Sequence, residues 1–237
     1  MSGLNEKMEL KTLAMEKVAQ VIDSLSNEAK IRYRVAINEF ADLYLDDELV
    51  FQELYYAYKQ ERSSYNIQCE NGEEITYRRE NNEHVIQFAQ TYFCLPEKPF
   101  VLLITSCIEI MREVLPLGTV VELNPLHFIP EHQTSLPTKV VITKRFIAPT
   151  GYQTYFPYGG AIYPVGEMKK DTTIYFTEPL ITNVIHTGFK DDMEEAFLLL
   201  IKEDFIVQKN MSSIEFSTQD MKRLQLEIES KERAGKR

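Results

Sequence analysis

His127 and His132, with Glu131 between them, are the closest this chain comes to a metal-ligand set. A bound metal needs ligands that converge, and a spacing of five across Pro130 does not put both imidazoles on one helix face. No third ligand is evident, and His84 and His186 stand alone. No metal or other cofactor is expected. The cysteines, Cys69, Cys94 and Cys107, form no C-x-x-C pair and are odd in number, so buried, inert thiols in a reducing compartment are the expectation. Cys107 lies in the most apolar stretch, where a thiol resists ionisation. Nucleophilic catalysis needs an activated side chain, and there is neither a G-x-S-x-G elbow nor a Walker-type glycine loop. With 36 acidic residues, chance carboxylate pairs are inevitable and name no reaction. A non-enzyme is expected.

Two clusters remain for binding. Tyr158, Gly159, Gly160, Tyr163 and Pro164 lie in the stretch Tyr158 to Gly166, and Tyr55, Tyr56 and Tyr58 crowd one helical segment. A phosphate loop runs straight into a helix N-terminus, whereas Pro164 and β-like sequence follow here. The glycines therefore read as a tight connection between strands, with aromatic rings packed over it. Amphipathic rings suit protein interfaces, although core packing accounts for most of the thirteen Tyr and thirteen Phe. These eight residues are the candidate partner-binding set.

Helices dominate the first sixty residues. Leu4, Met8, Met15, Val18, Val21, Ile22 and Leu25 recur at helical spacing. Ser26-Asn27 offers a cap to a second helix carrying Ile31, Val35, Phe40, Leu43 and Tyr44, and Asp46-Asp47-Glu48 opens a third. Alternating runs then flank Asn71-Gly72, a hairpin signature in which both central residues take positive φ. Residues 84–94 are ambiguous: Val85, Phe88, Ala89, Tyr92 and Phe93 fit a helix, and a strand is an open alternative. Pro96 and Pro99 break the chain, and Phe100 to Val114 reads as a buried helix. Five strands follow, within Leu115–Leu123, Lys139–Ile147, Gly151–Phe156, Thr172–Phe176 and Leu180–Ile185, then a helix from Glu194 to Ile206. A charged helical tail begins near Ser217, and Glu229 to Arg237 is expected to fray unless a partner holds it.

The predicted class is α+β: an N-terminal helical region with a hairpin, then a small, mostly antiparallel β-sheet with a packed C-terminal helix. The expected parts are 1–114, 115–210 and a tail at 211–237. An apolar fraction of 44% supports a real core, and 237 residues suffice for one generous domain or two small ones. The net charge of −10 opposes a duplex nucleic-acid partner, despite the short basic groups Lys30, Arg32, Arg34 and Lys169-Lys170. Phe100 to Ile110 is too short to span a bilayer, and Met1 to Leu25 lacks the uninterrupted apolar run of a signal peptide. A cytoplasmic protein with no membrane partner is expected.

The second half carries a resemblance. Leu115-Pro-Leu-Gly-Thr-Val-Val, the Val140 to Arg145 strand, Tyr158 to Gly166, Phe176, Ile181 to Phe189, and Glu194, Glu195 and Phe197 follow in order. Together they resemble a bacterial domain family encoded beside type VII (Ess) secretion toxins with LXG-type N-terminal domains, in the company of EsaE-like chaperones. The likeness spans Leu115 to Glu203, the loop Asn124 to Pro137 is longer than the family's, and the N-terminal part lies outside it. It implies a cytoplasmic chaperone or targeting adaptor that binds an LXG-domain toxin, with small helical secretion partners as further candidates. It supplies no catalytic residues. Rival readings are an immunity protein that blocks a basic toxin domain, and a ligand-binding or enzymatic domain using a pocket beneath Tyr158 to Gly166.

Overall fold

The computed structural model describes residues 2–124, 138–168 and 172–235, with residues 2–5 and 231–235 as backbone only. The class is α+β, and the chain divides into two compact units: residues 1–113 with 202–208, and residues 114–201 with 209–237. The sequence placed 202–208 and the tail differently, because long-range anchoring leaves no local trace.

In the first unit, α1 (Ser2–Asp23), α2 (Asn27–Tyr44) and α3 (Glu48–Lys59) precede a four-stranded antiparallel sheet in the order β1-β2-β3-β4. Ser26 accepts a hydrogen bond from the Ala29 N–H and so starts α2. The strands are β1 (Ser64–Gln68), β2 (Glu74–Glu80), β3 (Glu83–Phe88) and β4 (Thr91–Pro96). Helix α4 (Glu97–Met111) packs against α1 and α3. Its start holds both Pro96 and Pro99, since early helical positions have no intrahelical N–H bond to lose. Phe40 centres the core, 5.2–5.6 Å from the rings of Tyr44, Phe51, Phe88 and Phe93.

One local expectation changes and one ambiguity resolves. At the Asn71-Gly72 turn only Gly72 has positive φ (+83°), and the register Gln68↔Glu74 leaves a five-residue loop instead of a two-residue one. Residues 84–94, which the sequence leaves open between helix and strand, form the β3–β4 hairpin. Asn81 (φ +48°) and Asn82 (φ +68°) turn the chain into β3, a conformation asparagine tolerates better than most residues.

Chain 202–208 belongs to this unit through two buried lysines. The Lys202 ammonium donates to the carbonyls of Ile110 and Arg112, both at 2.7 Å, and so caps the C-terminus of α4. Lys17 of α1 donates to the Ile206 carbonyl at 2.7 Å within a π-helical turn, Glu203–Gln208.

The second unit is a six-stranded sheet in the order β10-β7-β6-β5-β9, with β8 also paired to β7. Its strands are β5 (Val120–Leu123), β6 (Thr138–Ile147), β7 (Thr154–Ile162), β8 (Ile174–Phe176), β9 (Ile181–His186) and β10 (Ser212–Ser213). Every pair is antiparallel except β10–β7. Val121, Leu123, Val140, Ile142, Tyr158 and Phe176 form its core. Helix α5 (Asp192–Lys202) ends where the π-helical turn begins, so the expected helix to Ile206 is regular only as far as Lys202. Helix α6 (Thr218–Gly235) starts against β7, where Thr154 donates to Asp220 at 2.9 Å. The Arg223 guanidinium lies 4.2 Å from the centre of the Tyr152 ring.

Candidate functional site

Strand β7 runs through the glycine element that the sequence presents as a loop. Tyr158, Gly159 and Gly160 lie inside the strand, paired to β6 on one side and β8 on the other. A Cβ on Gly160 would sit 2.3 Å from the Val141 carbonyl oxygen, and one on Gly159 would press Thr173 and Tyr175 at 3.2 Å. The glycines thus permit close strand approach, not a turn. Tyr158 is 1% exposed, stacks 5.5 Å from Phe176, and accepts a hydrogen bond from the Leu115 N–H at 3.1 Å. Tyr158, Gly159 and Gly160 are therefore buried, and Tyr158 packs in the core with Val121, Leu123, Val140, Ile142 and Phe176.

Tyr163 and Pro164 fare differently. They follow β7 in an exposed turn with Val165, and Tyr163 is 55% exposed. In the first unit, Tyr56 is exposed and 6.1 Å from the Tyr65 ring, whereas Tyr55 and Tyr58 are half-buried. Tyr58 donates to Glu97 at 2.8 Å; burial, then that carboxylate, pushes its hydroxyl pKa up to about 12. Of the eight predicted residues, Tyr158, Gly159 and Gly160 are buried, and the others divide between the two units.

The other motif pieces also hold the scaffold. Gly188 meets the Leu117 carbonyl so closely that a Cβ would sit 2.0 Å from its oxygen, and its N–H donates to Thr119 at 3.0 Å. Arg145 of β6 forms a two-pronged ion pair with Glu194 of α5, and its guanidinium lies 5.8 Å from the Phe197 ring. These contacts fasten the first turn of α5.

Once fastened, α5 buries Leu198 but leaves an apolar row uncovered. Met193, Phe197 and Leu200 are 79%, 48% and 64% exposed, and Phe189, just before the helix, is 80% exposed. Positions 193, 197 and 200 share one helix face. Beside this row the first turn gathers Asp191, Asp192, Glu194 and Glu195, with Lys190 3.8 Å from Glu195. Asp191 accepts from the Glu194 N–H at 3.0 Å, which starts the helix. Strand β9, a sheet edge among the described residues, has no charged residue, and Val184 and Ile185 are exposed. Sequence reading missed this row; its trace was four apolar residues in a row at 197–200, one more than a single buried face requires.

Burial governs the three thiols and His84. Burial raises the pKa of Cys107 to about 12, of Cys94 to about 12 with help from Glu83, and of Cys69 to about 11. Cys94 is half-buried, not buried as expected. His84 is fully buried, stacked 4.3 Å from Phe100 and bonded to the Tyr77 hydroxyl at 2.9 Å. Among the described residues no group of three or more His, Cys, Asp or Glu is placed to hold a metal ion, and no helix is long and apolar enough to cross a membrane. His127, Glu131 and His132 lie outside the described residues, as do Lys169 and Lys170.

By fold this is a two-unit α+β protein whose second unit displays an apolar helix face. Residues 114–197, about a third of the chain, match the family described as a domain of unknown function (DUF4176). No curated protein matches the chain. No solved structure matches it either.

Proposed function

We propose that this protein is a cytoplasmic, non-enzymatic adaptor that binds an LXG-type type VII secretion toxin and keeps it competent for export. One observation carries the binding half of this reading: α5 exposes Met193, Phe197 and Leu200 instead of packing them. A soluble chain gains by burying such a row, and an exposed one marks a surface that a partner covers. The client's identity rests on the motif resemblance, whose pieces brace α5 in place.

Co-expression with the neighbouring toxin, cut into its LXG and C-terminal halves, tests the reading. The full chain is expected to co-purify with the LXG half. Recovery only with the toxic half points to an immunity protein, and recovery with neither half refutes the adaptor.

A further inference from the structure

The chemistry of the α5 face narrows what covers it. Met193, Phe197 and Leu200 follow the i, i+4, i+7 pattern that receives another helix's apolar ridge. Arg145 holds Phe197 from below, so this ring is a positioned anchor. The four carboxylates from Asp191 to Glu195 outnumber the cations beside them, Lys190 near Glu195 and Arg145 paired to Glu194, so the rim keeps a net negative charge. Glu194 is committed to Arg145, whereas Asp192 is exposed at the rim. The whole chain is also acidic, at −10, which disfavours a second copy or an acidic partner.

We infer that the α5 row is the seat of an amphipathic helix whose apolar ridge is flanked by lysine or arginine. This rests on the adaptor reading and sharpens it, since it states which helices of a client engage. The apolar ridge covers Met193, Phe197 and Leu200, and the flanking cations meet Asp192 and its neighbours. A second copy can offer something similar, because α2 exposes Ile31 and Val35 near Arg32 and Arg34. Yet Arg32 is held by the Tyr92 hydroxyl at 2.9 Å, and Glu39 and Asp42 follow along the same helix.

Two synthetic helical peptides, each about five turns long, are the probes: one of leucine and lysine, one of leucine and glutamate at the same spacing. Titrated into the full-length chain, the lysine peptide is expected to bind at least about tenfold tighter. Met193→Ser, Phe197→Ser and Leu200→Ser together are expected to weaken it by about tenfold or more, with circular dichroism unchanged. Asp192→Lys, which leaves the apolar row intact, is expected to weaken the lysine peptide and strengthen the glutamate one. Equal binding of both peptides, or binding indifferent to the triple variant, overturns the inference. So does a peptide-free dimer, seen by light scattering, that the triple variant dissolves. The peptide assay uses no toxin: peptide binding with failed toxin co-purification sinks the toxin client alone. Toxin binding that survives the triple variant sinks the α5 seat alone.

Discussion

Gly160 and Gly159 are neighbours in β7, yet their substitutions are expected to differ. A Cβ at Gly160 meets the Val141 backbone, which cannot yield, so Gly160→Ala is expected to cost about 3 kcal/mol in urea denaturation. At Gly159 the obstructing atoms belong to the Thr173 and Tyr175 side chains, which can turn away, so Gly159→Ala costs less. The sequence showed two glycines among tyrosines but not what approached them; a loop and a crowded strand use glycine for different reasons and look alike in a string of letters. His84 offers a second test. Burial, and then the Arg79 charge, holds its pKa below the ordinary histidine value, with Glu97 opposing. The unfolded chain takes up this proton near about pH 6.5 while the folded chain resists it, so the unfolded state binds more protons in that window. Stability is therefore full above about pH 6.5 and falls as the pH drops toward the folded-state value. Urea titrations from neutral pH downward should show this decline, and His84→Gln should flatten it.

At the scale of elements, α5 depends on a contact far away in sequence. Arg145 and Glu194 are both largely buried, so Arg145→Ala strands a carboxylate and is expected to destabilise the second unit by about 3 kcal/mol. Thermal unfolding measures the loss, and near-native stability in the variant would show that the pair does not hold α5. The helices α1, α2 and α3 were legible because apolar residues at helical spacing and the Ser26 cap act locally. The β3–β4 hairpin could not be told from a helix because Val85, Phe88, Ala89, Tyr92 and Phe93 also satisfy a helical period. Asn81-Asn82 was the available clue, and Ala89, at φ +45°, gave none. Of the predicted site, Tyr163, Pro164 and Tyr56 are on the surface, and Tyr158 with its glycines is not. Aromatic content alone does not separate an interface from a core, because the same rings serve both.

For the whole molecule, the chain divides into two compact units. The second unit fixes α5 through Arg145 and Gly188 and displays its apolar face. Segment 202–208 belongs to the first unit through Lys17 and Lys202. The division at residues 113 and 114 fell where composition turns from helical to β-rich, whereas the return at 202–208 depends on lysine contacts 189 and 90–92 residues apart. The most direct test is hydrogen–deuterium exchange of the full chain with and without the LXG domain of a toxin of the proposed client class. Protection concentrated on residues 189–201 is the predicted result. Protection confined to α3 and the Tyr163–Pro164 turn, with α5 exchanging as in the free chain, would contradict it.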